Sequence, residues 1–241
     1  MSDRIYERFS RMIPADHLSK RTCHVIGVGA VGRPLTLMLA RAGAKVVAYD
    51  DDTVDWPNVG TQGYNAEDVG KPKVQALREE MGRMLPPEKQ KYRGYAVRLE
   101  EAPAIAEMGD HVFLCVDSMA SRKQLSKCKE AVTMYDVRCG SKVGNVQCWR
   151  NSIARSTQQC MSKYAESLFD DEDSSPAPCG LQTMPHVSQF AAALAFNMFC
   201  DALMPDRYGL PYRCQVFDLF DGVIDNYDAW PTPSVTEPAG V

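Results

Sequence analysis

The sequence has no excess of basic residues. Its 241 residues include 27 Lys and Arg against 31 Asp and Glu, which gives a formal net charge of -4. Proteins that bind a nucleic-acid backbone neutralise its phosphates with Lys and Arg, and no basic tract occurs here. The composition therefore argues against nucleic acid as a partner.

The sequence also lacks an uninterrupted apolar run. The most apolar stretches, around His24–Leu39 and Phe190–Leu203, are too short or too interrupted for a bilayer span of about 20 residues. The first residues are polar and do not have the pattern of a signal peptide. We therefore expect no membrane association and a cytoplasmic location.

No Cys-x-x-Cys pair occurs among the nine cysteines, and the four histidines are dispersed. Structural zinc sites typically take closely spaced Cys and His ligands, so no zinc site is expected. Scattered cysteines in a mid-sized chain without a secretory signal are expected to be reduced thiols.

Strand and helix patterns alternate along most of the chain. A buried strand is predicted at His24–Gly27, a helix at Arg33–Ala42 and a second strand at Lys45–Tyr49. Further strands are predicted at Lys91–Leu99, His111–Val116, Thr133–Val137, Val143–Trp149 and Cys214–Leu219, and further helices at Lys71–Met84, Met119–Ala131 and His186–Leu203. This alternation predicts a Rossmann-like, doubly wound α/β fold, with a mostly parallel sheet covered by helices on both faces.

The chain is expected to form a single domain over residues 1–241, with residues 1–23 as an N-terminal arm. Residues 151–180 interrupt the alternation, because they are polar, carry the acidic run Asp170–Asp173 and are rich in Ser and Pro near their end. We expect a mobile crossover segment there and a frayed tail at residues 231–241.

A glycine-rich turn follows the first predicted strand. Gly27, Gly29 and Gly32 satisfy the G-x-G-x-x-G pattern, in which glycines allow a tight turn and bring the backbone close to phosphates at a helix N-terminus. Asp50 ends the next strand, where a carboxylate can bind a ribose hydroxyl. The pattern indicates a nucleotide site; the alternative is a turn that serves close packing alone.

Lysine and aspartate side chains extend this prediction. Lys71 and Lys73 begin a predicted helix, and two ammonium groups suit a polyphosphate better than a nicotinamide ring. Asp117 follows a parallel strand, at the edge where open α/β sheets bind ligands, and its carboxylate suits Mg²⁺. The alternatives are solvated lysines and a helix N-cap at Asp117 or Ser118.

The motifs occur in an order that resembles a known family. They are Arg8-Phe9-Ser10-Arg11, the glycine turn, Asp50-Asp51-Asp52, Asn58, Gln62, Gly70-Lys71-Pro72-Lys73 and Cys115-Val116-Asp117-Ser118. In order and spacing this set resembles the ThiF/MoeB family, whose fold is shared with ubiquitin-activating enzymes. The similarity is clear over residues 8–130 and resumes at Cys179-Gly180.

The resemblance implies an ATP-dependent adenylyltransferase. Members use MgATP to adenylate the C-terminal glycine carboxylate of a ubiquitin-like or sulfur-carrier protein, and a thiol or sulfur donor then takes the acyl group. The roles it implies are ribose binding for Asp50, phosphate binding for Asn58 and Lys73, magnesium binding for Asp117, and membership of the nucleotide site for Asp52 and Gln62. Arg11 would reach the phosphates of the partner subunit's site, which implies a homodimer; its alternative is a solvated arginine.

Two positions leave the function partly open. Thr61 stands where the family usually has an arginine, so a phosphate-neutralising charge is missing unless Arg11 or Lys71 supplies it. Cys179 matches the reactive cysteine of many members, with Cys160 as a weaker candidate, although a free cysteine is also a common packing residue. The alternatives to adenylation are a non-catalytic scaffold with this fold and an NAD-dependent oxidoreductase.

Overall fold

The computed structural model describes residues 2–11, 13–97, 111–126, 133–140, 142–150, 162, 164–168, 184–204 and 212–227. The predicted crossover segment falls mostly outside these ranges, as do Cys160, Cys179 and the predicted tail. Within the described ranges, every helix is too short or too polar to cross a membrane.

The described residues include eight strands and six α-helices, and residues 162 and 164–166 are also helical. The strands are β1 Thr22–Ile26, β2 Lys45–Tyr49, β3 Tyr92–Tyr95, β4 His111–Leu114, β5 Thr133–Cys139, β6 Val143–Arg150, β7 Tyr212–Asp218 and β8 Val223–Tyr227. The helices are α1 Ala15–Ser19, α2 Gly32–Ala42, α3 Trp56–Gln62, α4 Lys73–Met84, α5 Met119–Leu125 and α6 Pro185–Ala202.

All eight strands belong to one sheet, in the order β3-β2-β1-β4-β5-β6-β7-β8. The first five strands in this order run parallel, and β6, β7 and β8 continue the sheet as an antiparallel meander. The chain winds outward in opposite directions from β1 and β4, which are neighbours. Open α/β sheets bind ligands at the carboxyl ends of the strands beside such a reversal.

Two apolar cores cover the opposite faces of the sheet. Val25 and Phe113 point into the core formed with α2, α4 and α6. Their neighbours Ile26 and Leu114 point into the other core, which includes Leu125 of α5. This alternation of buried side chains follows from the two-residue period of a strand that is covered on both faces. The predicted doubly wound, mostly parallel fold is confirmed.

Most predicted elements are present, with ends that differ by a few residues. β3 ends at Tyr95 and β4 at Leu114, earlier than predicted, and α4 begins at Lys73 because Pro72 occupies its N-cap with an extended ψ of 134°. Three of these elements, α1, α3 and β8, were not predicted. Helix α1 lies in the N-terminal arm, α3 lies between the predicted strand Lys45–Tyr49 and the predicted helix Lys71–Met84, and β8 follows the predicted strand Cys214–Leu219.

A buried charge network joins β5 to the loop after β4. The Asp136 side chain is fully buried and accepts hydrogen bonds from Arg122, from Arg138 Nε at 2.6 Å and from the Tyr164 hydroxyl at 3.1 Å. Arg122 also donates to the carbonyl oxygen of Val116. Burial lowers the pKa of Arg122 from its ordinary value. The network therefore holds the loop that carries Asp117 against the neighbouring strand.

Replacing Asp136 by Ala is expected to destabilise the protein by about 3–5 kcal/mol, because the buried guanidinium of Arg122 and the half-buried one of Arg138 lose their shared carboxylate. The free energy of unfolding from urea denaturation measures this loss. Asp16→Ala is the control, since Asp16 makes an exposed ion pair with Lys20 at 3.2 Å, which should leave the urea midpoint unchanged. Equal midpoints for the two variants would contradict the structural role given to Asp136.

Candidate functional site

The glycine turn joins β1 to α2 at the carboxyl end of β1. Gly27 has a φ of +84°, and a Cβ there would lie 2.7 Å from the carbonyl oxygen of Cys115. At Gly32 a Cβ would lie 1.8 Å from the carbonyl oxygen of Gly27. The backbone itself therefore requires glycine at both positions.

Gly29 differs from the other two glycines of the motif. Its φ is not positive, and the nearest atoms to an added Cβ belong to the Gln62 amide at 3.8 Å, an ordinary van der Waals distance. The folded chain could therefore accommodate a small side chain at position 29. Glycine at such a position allows a ligand to approach the backbone of the turn closely.

Asp50 anchors the turn to the end of β2. Its Oδ2 accepts a hydrogen bond from the Val28 amide at 2.7 Å, and its Oδ1 accepts one from the Asp52 amide at 2.9 Å. Burial raises the pKa of Asp50 above its ordinary value, although Lys73 and the two amide donors oppose this shift. The folded state therefore keeps the Asp50 carboxyl protonated to a higher pH than the unfolded state does. The stability that Asp50 contributes is lost as the pH rises from its unfolded pKa through its folded pKa.

Lys73 brings a positive charge to the same edge of the sheet. It is 5% exposed, and its Nζ lies 2.6 Å from Asp52 Oδ2. The Asp52 side chain is 65% exposed. The alternative of a solvated lysine is therefore wrong for Lys73: a buried ammonium is paired with a carboxylate that faces solvent.

Lys71 is directed elsewhere. Its Nζ lies 3.2 Å from Asp68 Oδ1 and 2.6 Å from Glu79 Oε2, so two carboxylates already neutralise its charge. The hydrogen bond that Lys71 donates to Glu79 is the largest cause that raises the pKa of Lys71 above its ordinary value.

Helix α3 presents two of the predicted site residues. Asn58 Oδ1 accepts a hydrogen bond from the Asp55 amide at 3.0 Å and so completes a capping box at the start of the helix. One turn later the Gln62 amide lies against Gly29, and its Oε1 is buried with no hydrogen-bond partner in the described parts of the chain. Thr61 instead donates its hydroxyl to the Pro57 carbonyl oxygen at 2.7 Å. Gln62 thus offers an unsatisfied acceptor beside the turn.

Asp117 lies in an exposed bend after β4. The N-cap of α5 is Ser118, whose side chain accepts the Ser121 amide at 3.1 Å, so Asp117 does not cap the helix. Cys115, two residues earlier, lies beside the glycine turn, since a Cβ at Gly32 would be 3.2 Å from its Cβ. Burial raises the pKa of Cys115 to about 12.

The structure brings together the glycine turn, Asp50, Asp52, Lys73 and Gln62, with Asp117 on the neighbouring strand end. Arg11 is exposed in the N-terminal arm, and in the described chain it makes no ion pair. Cys179 lies outside the described residues. No sequence motif pointed to Arg33 or Tyr64, which also contact this site; the only signal is their position directly after Gly32 and Gly63.

Solved structures share this fold. A crystal structure of PaaA superposes with a TM-score of 0.71 at 17% identity, covering 94% of this chain and 74% of that one. A crystal structure of Escherichia coli MccB with ATP has a TM-score of 0.68 at 14% identity, covering 95% of this chain and 72% of that one. Identities this low show the fold alone.

Sequence comparison gives a closer likeness. Over 141 residues the chain is 31% identical to the sulfur carrier protein ThiS adenylyltransferase of Escherichia coli (strain K12). The alignment covers 52% of this chain and 54% of that protein. The alignment therefore spans about half the length of this relative. The model of the ThiF family matches residues 6–199, a range that contains every motif from Arg8 to Asp117. The chain belongs to the ThiF family.

Proposed function

We propose that this protein is an ATP-dependent adenylyltransferase that activates the C-terminal glycine carboxylate of a ubiquitin-like or sulfur-carrier protein. The observation that carries the proposal is the buried Lys73 ammonium beside the glycine turn and Asp50, at the carboxyl end of β2. Membership of the ThiF family and the likeness to a ThiS adenylyltransferase support it. A nicotinamide site has no need of a buried lysine there, so an oxidoreductase is disfavoured.

The nucleotide would use the groups at this edge in distinct ways. The amides of the glycine turn and the N-terminus of α2 suit the phosphates, because they are donors at the positive end of a helix dipole. Asp50 would accept hydrogen bonds from the ribose. Lys73 would exchange its contact with the exposed Asp52 for a phosphate oxygen, and Asn58 and Gln62 would complete the polar contacts.

Asp117 fits a magnesium site. Its carboxylate is exposed and is not used as the helix cap, since Ser118 has that role. Mg²⁺ commonly binds through one or two carboxylates, substrate phosphates and water. Bound there with the nucleotide, the ion would neutralise charge on the pyrophosphate.

The reaction needs positioning and charge more than covalent chemistry. A carboxylate oxygen of the carrier's terminal glycine attacks the α-phosphorus; this oxygen–phosphorus bond forms while the bond to the bridging oxygen of the β-phosphate breaks. Pyrophosphate leaves with that electron pair. In this scheme the chain holds the α-phosphate in line with the incoming carboxylate, and Lys73 offsets the charge that grows on the leaving group.

Two residues beyond this cluster, Arg11 and Cys179, would complete the reaction. Because Lys71 is already paired with two carboxylates, Arg11 of a partner subunit is the better source for the charge that Thr61 does not provide. That assignment requires a homodimer. Cys179 would be the thiol that takes the acyl group, with a cytoplasmic location keeping it reduced.

Gly29→Ala is expected to leave stability unchanged and to weaken MgATP binding about tenfold or more, because a methyl group fits the folded chain but blocks close approach of phosphate. Thermal unfolding and titration calorimetry measure the two effects. Gly82→Ala is the control, since an added Cβ in α4 meets no atom within 4 Å. Unchanged MgATP affinity in Gly29→Ala would mean that the turn serves packing alone.

Asp117→Asn is expected to slow the exchange of pyrophosphate into ATP by about 100-fold or more, because a preorganised charge at the reacting phosphates is lost. The exchange should require a carrier protein that ends in glycine. Asp16→Asn, on the exposed face of α1, serves as the charge-matched control and should exchange at the wild-type rate. Binding of MgATP without exchange for any carrier would instead identify a non-catalytic scaffold.

A further inference from the structure

Arg33 is the second residue of α2 and directly follows the last glycine of the turn. Its side chain is only 11% exposed, and its Nη2 lies 2.6 Å from Glu80 Oε2. The guanidinium also stacks over the Tyr64 ring, with its central carbon 5.2 Å from the ring centroid. The Arg33 side chain therefore extends from the end of the turn to Glu80 and Tyr64, which lie on two other parts of the chain.

Those two elements both belong to the proposed nucleotide site. Glu80 lies on α4, the helix that Lys73 begins. Tyr64 follows the end of α3, is 2% exposed and donates its hydroxyl to the Val28 carbonyl oxygen at 2.8 Å. The contacts of Arg33, Tyr64 and Glu80, here called the Arg33 clamp, therefore link α2, α4, the end of α3 and the turn itself.

Gly63 shows how closely the guanidinium approaches α3. This residue ends the helix with a φ of +80°, and a Cβ there would lie 2.9 Å from Arg33 Nη1. The preceding residue is Gln62, whose unsatisfied Oε1 lies against Gly29. The position of Gln62 over the turn thus depends on the chain segment that packs on Arg33.

We propose that Arg33 is a positioning residue of the nucleotide site: through the Arg33 clamp it fixes the carboxyl end of α3 against the glycine turn and so holds Gln62 in place to bind the nucleotide. This inference rests on the function proposed above. It gives the arginine a geometric role, because Glu80 already neutralises its charge.

The clamp also bears on Thr61. The family arginine expected on α3 is replaced by a threonine that bonds back to its own helix through Pro57. In this chain an arginine reaches the end of α3 from α2 instead. Only a planar guanidinium can form the ion pair and stack on the ring at the same time, so lysine is not an equivalent replacement.

The test is the MgATP affinity of four proteins, measured by titration calorimetry: wild type, Arg33→Met, Gln62→Ala and the double variant. Methionine keeps the apolar packing of the side chain and removes the guanidinium. We expect each single variant to bind about tenfold more weakly, because one polar contact to a charged ligand is lost in each. The double variant should bind no more weakly than Gln62→Ala, since Arg33 acts through Gln62.

Two further variants sharpen the comparison. Arg33→Lys should bind as weakly as Arg33→Met, because charge alone does not restore the clamp. Arg41→Met, on an exposed position of the same helix, should bind as the wild type does. If Arg33→Met does not fold, Glu80→Gln replaces it among the four proteins. This substitution removes the ion pair with Arg33 and keeps the shape of the residue 80 side chain.

An unchanged affinity in folded Arg33→Met overturns the inference, and so do additive losses in the double variant or full rescue by lysine. A clamp that only stabilises the fold would lower the melting temperature and leave MgATP affinity intact. Absence of MgATP binding by the wild type overturns the proposed nucleotide function itself, and the inference with it. The wild-type titration therefore separates the two failures.

Discussion

The position of the glycine turn depends on one carboxylate. Asp50 accepts the Val28 amide from the turn and the Asp52 amide from its own loop, so a single side chain joins the ends of β1 and β2. Burial opposes the charged form of this group and raises its pKa, and Lys73 and the two amides offset only part of that penalty. The Asp52 amide and the Lys73 charge both act on this carboxylate, and Lys73 is in turn paired with the Asp52 side chain.

The parts of the fold that rest on local rules follow from the sequence. Gly27 and Gly32 are required by the backbone, through a positive φ in one case and a close approach in the other. The apolar strands β1, β2 and β4 are buried on both faces, which gives the continuous hydrophobic runs that predict a parallel sheet. The edge of the sheet that carries the candidate site was therefore predictable from the sequence.

Helix α3 and strand β8, two of the three elements that were not predicted, lack such a pattern. Helix α3 has no buried residue, so no apolar periodicity marks it; its signals were the capping residue Asp55 and the proline after Trp56. Strand β8 is exposed along its described side chains, and its signal was the Asp-Gly pair before Val223. Both signals are local and short, and each is common in loops as well.

Contacts between distant residues were beyond sequence reasoning altogether. Lys71 and Lys73 are two residues apart and belong to one motif, yet the fold pairs Lys71 with Asp68 and Glu79 and directs Lys73 to Asp52. Nothing in the local pattern separates them, because the partner of Lys73 lies 21 residues away across the sheet edge.

Contacts between distant residues also determine what changes when Thr61 stands in place of the family arginine. In the sequence, Thr61 replaces the family arginine, and one guanidinium is missing from α3. Judged in space, the end of α3 is still contacted by a guanidinium, because Arg33 reaches it from α2 and is held there by Glu80, 47 residues further on. What a family motif fixes is the set of groups at a surface, and different elements can deliver them. Arg33 therefore preserves the packing of an arginine against the end of α3. It adds no net charge for binding phosphate, because Glu80 neutralises it. Within this cluster, Lys73 is the cation whose carboxylate partner is exposed to solvent.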